Sequence, residues 1–245
     1  MDEALTFKKP ENVSCEQAAT LGVGLLTASL GLISGAGIDF ESTNGEVGEE
    51  WVVVLGAAGC VGQYAVQIAN MCGFKVLGSC SPENEEFLKN LGADATFNYK
   101  LPMEEQLKEI ARVTDGKFSR VFDASAMASQ TGMEALARHG DPKVGVKYFA
   151  TTNDWERAER KQGIQVNVVS LSKIGKTGNE SILHVNQDIE DFIPILEEYL
   201  ADSSLKPMEY EVIGGIGVSS VLKGLEAFKL RKSATRKIVV RIAEQ

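Results

Sequence analysis

Residues 52–62 read VVVLGAAGCVG, an apolar, β-branched run that breaks into glycines at Gly56, Gly59 and Gly62. The segment YAVQIANM that follows carries its apolar residues at helical spacing. A strand, a tight glycine turn and a helix N-terminus in this order suit a dinucleotide pyrophosphate. Ala57 and Ala58 keep the turn small, and the helix end supplies free N–H groups and partial positive charge. The uninterrupted strand predicts a parallel sheet covered on both faces. The spacing G-x-x-G-x-x-G also suits an S-adenosylmethionine-dependent methyltransferase, so the tip of the next strand has to separate the two.

That strand is predicted at Lys75–Ser79, with Cys80, Ser81, Pro82, Glu83 and Asn84 after it. An NAD site, or a methyltransferase ribose site, wants an Asp or Glu at this tip. Here the tip carries Ser79, Cys80 and Ser81. A carboxylate beside a 2′-phosphate would cost about 4 kcal/mol at roughly 4 Å and an effective dielectric of about 20. Its absence permits NADP(H). Ser81 and Asn84 offer neutral donors, and Tyr99 and Lys100 add a hydroxyl and a charge. Glu83 does no harm where it points outward from a helix start. Ser81 also reads as an N-cap, with Pro82 at the first helical position.

Net charge −9 argues against nucleic acid or an anionic membrane as partners, and the 44% apolar content suffices for a full core. The first residues are charged and lack the apolar centre of a signal peptide, so a cytoplasmic location is expected. Ala18–Ile38 contains no charged residue and is long enough to span a bilayer. Its Gly, Ser and Thr content reads instead as buried helix packing. Cys15, Cys60, Cys72 and Cys80 form no CxxC pair and are expected to be buried. His139 and His184 have no metal-ligand spacing, and no metal site is expected.

Along the chain, Ser14 and Gln17 have capping-box spacing ahead of a helix through Thr20, and a second helix is predicted at Leu25–Ser34. Residues 39–50 read as an acidic loop. Strands are then predicted near 51–56, 75–79, 96–98, 119–123 and 144–151, with a sixth at 166–171. They alternate with helices near 61–72, 82–91, 103–113 and 130–138. Residues 188–200 form an amphipathic helix that Pro194 should kink or break. Strands at 206–213 and 237–242, with a helix at 218–228 between them, look like part of a second sheet. The fold class is α/β, a doubly wound parallel sheet with remnant strands of a second domain.

These segments resemble the zinc-independent medium-chain dehydrogenase/reductases of the quinone oxidoreductase-like branch. KPENVSCEQAATLGVGLLTASLGL is similar to the family's entry into its cofactor domain, GAAGCVGQYAVQIANMCG to its pyrophosphate turn and helix, and NEEFLKNLGADATFNYK to its second βαβ unit. RKSATRKIVVRI resembles its C-terminal strand. LGVGLLTA and SPEN are closest to fungal trans-acting enoyl reductases, which serve polyketide synthases. The resemblance implies a Rossmann domain and hydride transfer from NADPH to an activated C=C bond. The substrate would be a small molecule or an acyl thioester, in the latter case carried on a polyketide synthase. Family members open with a GroES-like substrate domain of about a hundred residues, whereas this chain enters almost at the cofactor domain and reads as a truncated member. The division expected is 1–38 entry helices, 39–187 cofactor domain and 188–245 remnant of the substrate domain. Loss of the covering domain would leave the Ala18–Ile38 face partly exposed and favour homo-oligomers.

Carried over by resemblance, Gly56, Ala58, Gly59, Cys60, Val61 and Gly62 line the pyrophosphate turn. Ser81, Pro82, Glu83 and Asn84 surround the 2′-phosphate, with Tyr99 nearby. Thr27 would face the nicotinamide carboxamide, and Leu21, Gly22, Val23, Gly24, Leu25, Leu26 and Thr27 would border the substrate. Val239 and Val240 would run past the cofactor. The bland alternatives are a helix hydroxyl bonded to its own backbone for Thr27, and plain strand core for Val239 and Val240. Asp123, at a strand end, meets ribose or sits in a solvated turn. Tyr64 reads as structural, and no proton donor is identified. A quinone or enone reductase, and a non-catalytic NADP-binding fragment, remain open.

Overall fold

The structure is a computed structural model that describes residues 3–40, 48–156, 159–231 and 235–244. Residues 41–47 of the expected acidic loop lie outside the described ones. Six parallel strands form one sheet: β1 Trp51–Leu55, β2 Lys75–Cys80, β3 Ala95–Asn98, β4 Phe118–Asp123, β5 Lys147–Thr151 and β6 Ile164–Val168. Their order is β3-β2-β1-β4-β5-β6, the doubly wound order whose direction of winding reverses between β1 and β4. Val52, Val53 and Val54 are wholly buried, because helices cover both faces of the strand they sit on.

The covering helices are α2 (Cys60–Met71), α3 (Glu85–Asn90), α4 (Met103–Thr114) and α5 (Ser129–His139). The N-terminal segment adds α1 (Cys15–Ser29), which continues into a π turn at Leu30–Ser34. The Ser14–Gln17 capping box is formed in both directions. The break expected between two helices is a local kink at Gly22 within one helix. Two glycines bring this segment close to the sheet layer. A Cβ at Gly24 would lie 2.5 Å from Cys60 Sγ, and one at Gly31 would lie 2.4 Å from the Phe122 ring. The expectation of a partly exposed Ala18–Ile38 face is corrected: apart from a few positions such as Val23, it is buried in the main core. Most of the 20-residue apolar stretch Cys15–Ser34 is thus buried inside the fold.

The C-terminal part starts with α6 (Glu180–Ala201), whose Ile189, Phe192, Ile193, Leu196 and Leu200 join the same core. Pro194 lies inside this helix and does not end it, contrary to expectation. Beyond it, β7 (Tyr210–Ile216) and β8 (Lys237–Arg241) pair in parallel as a separate two-stranded sheet, linked by α7 (Ser219–Leu230). Strands separate from the main sheet were expected here, at 206–213 and 237–242.

One buried polar row ties that sheet to the main domain. Gln63, Tyr64 and Gln67 all lie within the buried part of α2. Gln63 Nε2 donates to the carbonyls of Ala58 (2.8 Å) and Thr235 (3.0 Å). Tyr64 Oη accepts the Met208 amide at 3.1 Å, and Gln67 exchanges bonds with the Lys206 amide and carbonyl. Burial pushes the Tyr64 hydroxyl up to about 12, so it stays protonated. Tyr64 is structural, as expected. Replacing it with Phe orphans the Met208 N–H in the interior. Thermal or urea unfolding of Tyr64→Phe should show a loss of about 1–3 kcal/mol with unchanged far-ultraviolet dichroism.

Candidate functional site

A cavity of about 630 Å³ opens at the carboxyl ends of β1, β2 and β4, where open α/β sheets bind ligands. The glycine turn forms its floor. Gly56 has φ +74, and a Cβ there would lie 2.6 Å from Ser125 Cβ. A Cβ at Gly62 would lie 2.3 Å from the Gly56 carbonyl oxygen and 2.6 Å from Ala57 Cα. The turn is pinned from β2: Gly56 N–H donates to Ser79 Oγ at 2.7 Å, and Ala57 N–H to the Ser79 carbonyl at 3.0 Å. The missing side chains thereby let Ser125 close over Gly56 and let α2 start directly against the turn. The first-turn amides there lack intrahelical acceptors, a donor set that fits a pyrophosphate.

The second wall is the β2 tip. Ser81, Glu83, Asn84, Tyr99 and Lys100 all line the cavity. Ser81 occupies the N-cap position before Pro82, yet its hydroxyl makes no cap bond to the backbone. It accepts from Asn84 Nδ2 at 3.0 Å instead, and the turn is a single 3₁₀ piece, Pro82–Asn84. Lys100 Nζ stands 3.8 Å from the Glu83 carboxylate and 5.9 Å from the Tyr99 ring centroid. The Glu83 carboxyl is held below its usual range, chiefly by its own backbone amide, then by Ser81 and Lys100. Burial raises the Cys80 thiol.

The third wall is the loop after β4, and the sequence reading missed it. Ala124, Ser125, Met127 and Ala128 line the cavity. Asp123 neither meets solvent nor lines this space; it is fully buried beneath the loop. Its Oδ1 accepts from Ser125 N (3.1 Å) and Oγ (2.7 Å). Its Oδ2 accepts from Ala128 N (3.1 Å), Ser129 Oγ (3.0 Å) and Thr151 Oγ1 (3.3 Å). Both oxygens face donors only, and the loop they hold includes Ala126 at φ +61. A strand-end Asp followed by Ala-Ser-Ala is the signal that could have marked this wall.

Of the other expected residues, Gly56, Ala58 and Gly59 line the cavity. Cys60, Val61 and Gly62 open α2 behind them, and Pro82 lies beside the lining residues of its turn. Thr27 is not brought to the cavity: it is buried and donates to the Val23 carbonyl at 2.6 Å. Leu21, Gly24, Leu25 and Leu26 are buried, whereas Gly22 and Val23 are exposed on the outer side. Val239 is strand core, and Val240 packs over Gly224. Thr235, just before β8, does reach the cavity, as do Leu55, Gln106 and Thr131, none of which the sequence reading named. All four cysteines are free thiols; Cys72 and Cys80 are buried as expected, whereas Cys15 is exposed and Cys60 half-buried. Among the described residues no group of three or more His, Cys, Asp or Glu is arranged to hold a metal ion.

Comparison with known proteins gives one consistent answer. The zinc-binding dehydrogenase family matches residues 60–144. A zinc-type alcohol dehydrogenase-like protein of Schizosaccharomyces pombe is 28% identical over 99% of this chain and 71% of its own length. A trans-enoyl reductase of Alternaria alternata is 28% identical over 96% of this chain and 67% of its own. The crystal structure of the JamJ enoyl reductase superposes with a TM-score of 0.73 at 21% identity, covering 96% of this chain and 65% of that one. The chain thus spans about two thirds of the length of these relatives.

In Asp123→Asn the new amide must point its NH₂ at either the Ser125 or the Ala128 N–H. We expect a loss of about 1–3 kcal/mol in stability. Dinucleotide binding, followed by nucleotide fluorescence, should weaken in parallel because the wall loop is released. With its open glycine cradle, its strand order and similarity along nearly its whole length, the chain is similar to oxidoreductases of the medium-chain dehydrogenase/reductase type, the fungal trans-enoyl reductases among them.

Proposed function

We propose that the chain binds NADPH in the cavity at Gly56–Gly59 and reduces an activated C=C bond of an enoyl thioester, in the manner of a trans-acting enoyl reductase of polyketide synthesis. The observation that carries the reading is one continuous cavity joining the glycine turn to a strand tip, Ser79, Cys80 and Ser81, that bears no carboxylate; Glu83 in the following turn also lines the cavity, where the sequence reading expected it to point outward. The choice of NADPH rests on the neutral side chains Ser81 and Asn84 and on Lys100, with Tyr99 beside it. Glu83 is already engaged by Lys100, and a 2′-phosphate entering here would compete with it for the ammonium.

The bound nicotinamide would supply the hydride. The chain's own residues bind and orient: the turn amides hold the pyrophosphate, and Asp123 fixes the wall loop from beneath. Gln63 keeps Thr235 at the cavity mouth. Orientation and exclusion of water are what the protein contributes to such a reaction. Of the three spans expected, 39–187 is proposed as the unit that holds the nucleotide.

A second reading is an NADP-binding protein without turnover. It is favoured by the titratable side chains of the cavity, Cys80, Glu83, Tyr99 and Lys100, which all belong to the β2–β3 end. Leu21–Leu26 are packed into helix α1 or turned away from the cavity. A quinone or simple enone as acceptor leaves the cofactor site unchanged.

Loss of reduced-nicotinamide absorbance with a short α,β-unsaturated acyl thioester tests the first reading. Turnover supports it, while NADPH binding without turnover selects the second. Lys100→Ala should weaken NADPH about tenfold, the equivalent of about 1.4 kcal/mol, and leave NADH unaffected. Glu83→Gln should tighten NADPH by a smaller factor. Equal effects on both cofactors would remove the 2′-phosphate from this corner.

A further inference from the structure

Strand β3 is the edge of the main sheet, and its register decides what stands beside the β2 tip. Cys80 pairs with Asn98, the last residue of β3, so Tyr99 and Lys100 follow on beside Ser81 and its turn. Only residues 99–102 link β3 to α4. The backbone secures this link poorly. Tyr99 N–H reaches the Cys80 carbonyl, and Leu101 N–H the Asn98 carbonyl, each at 3.3 Å, just beyond the usual range of an N–H···O bond. Pro102, at the N-cap of α4, makes no side-chain cap bond.

Two side chains supply shorter bonds. Asn98 Oδ1 accepts from the Lys100 amide at 3.0 Å. Gln106, near the start of α4, donates from Nε2 to the Tyr99 carbonyl at 2.9 Å and to the Leu101 carbonyl at 2.7 Å. These two carbonyls flank Lys100, so one side-chain amide clamps the residue that carries the ammonium. Both Nε2 hydrogens are used, and the remaining Gln106 oxygen is an acceptor, which a phosphate dianion does not bind. Gln106 lines the cavity, yet what it gives this corner is not contact with an anion. Nor does it cap α4: the free amides of a helix start need acceptors, whereas Gln106 spends its donors on the loop.

We propose that Gln106 is a positioning residue for cofactor choice: by clamping the Tyr99 and Leu101 carbonyls it fixes where Lys100 and the Tyr99 hydroxyl stand, and so sets the preference for a 2′-phosphorylated dinucleotide. This rests on the NADPH reading above. The Lys100 side chain is exposed over about half its surface and loses rotamer freedom when it grips a phosphate. A backbone that is already held adds no ordering cost of its own. Once the clamp is released, the ligand itself has to order the loop, and the 2′-phosphate is the group that draws on it. The signature of positioning is therefore a change in discrimination between the two cofactors, carried through Lys100.

The test is a nucleotide-fluorescence titration of the full chain with NADPH and with NADH. In Gln106→Met the ratio of the NADH to the NADPH dissociation constant should fall about fivefold, the scale of a lost hydrogen bond. In the Lys100→Ala background the same substitution should change that ratio by less than about twofold, because the two residues act in series. Asn98→Ala, which removes the other fastening of Lys100, should lower the ratio as well, and it decides the matter should Gln106→Met misfold. Amide hydrogen exchange of residues 99–101 should quicken in Gln106→Met. An unchanged ratio, an undiminished effect on top of Lys100→Ala, or a lowered ratio with unchanged exchange overturns the proposal. If Lys100→Ala itself leaves the ratio unchanged, the NADPH reading of this corner fails and the proposal with it. A ratio lowered by Lys100→Ala but not by Gln106→Met removes Gln106 alone.

Discussion

The absence of a side chain at position 62 decides how everything else is placed. Helix α2 starts so close to the end of β1 that a Cβ at Gly62 would sit 2.3 Å from the Gly56 carbonyl oxygen. That approach aims the first turn of α2 at the cavity and seats the body of the helix against the sheet. Gly24 repeats the device one layer out, where a Cβ would collide with Cys60 Sγ. Strand, turn, α2 and α1 therefore form one stack whose spacing is set by missing atoms. The cavity is the gap left at the end of the stack.

The same helix holds the C-terminal unit by polar means. Its inward face carries Gln63, Tyr64 and Gln67, and every bond they make beyond the helix reaches the 206–208 segment, Thr235, the turn at Ala58 or Thr20. Buried side-chain amides and hydroxyls are tolerated because their partners are present, and none of the buried side-chain polar atoms among the described residues lacks one. A strictly apolar interface would hold the two parts together without fixing their register. Directional bonds from one helix to two separate backbone segments fix it. The Gln63 amide, donating to both the Ala58 and the Thr235 carbonyls, also ties the glycine turn to the mouth of the cavity.

Most of the fold was legible because burial on both faces writes itself into a parallel strand as an unbroken apolar run, and each helix end carries its own glycine or cap. The β1 and α2 boundaries fall within a residue or two of the expected ones for that reason. The cavity lining was legible where placement is local: Gly56, Gly59, Ser81 and Asn84 are close in sequence to the turns that place them. It was illegible where placement is tertiary. Thr27 satisfies its hydroxyl within its own helix turn, as a buried threonine does when no other acceptor is nearer. Asp123 gathers donors from three segments, and only the fold brings Thr151 to Ser125. Pro194 failed to break α6 because the helix is held along its length by Ile189, Phe192, Ile193 and Leu196 in the core, which offsets the lost hydrogen bond.

The Asp123 carboxyl is buried at the end of β4, and both of its oxygens are met by hydrogen-bond donors. Asp123 accepts from two backbone amides and three hydroxyls, and two of these donors, Ala128 N and Ser129 Oγ, belong to the start of α5. The bonds from Ser125 and Ala128 draw the loop down over the end of β1, so that a Cβ at Gly56 would lie 2.6 Å from Ser125 Cβ, and the loop turns through Ala126 at φ +61. The glycine turn and the Asp123 loop are thus complementary: the loop can sit this close because position 56 carries no side chain, and both line the cavity.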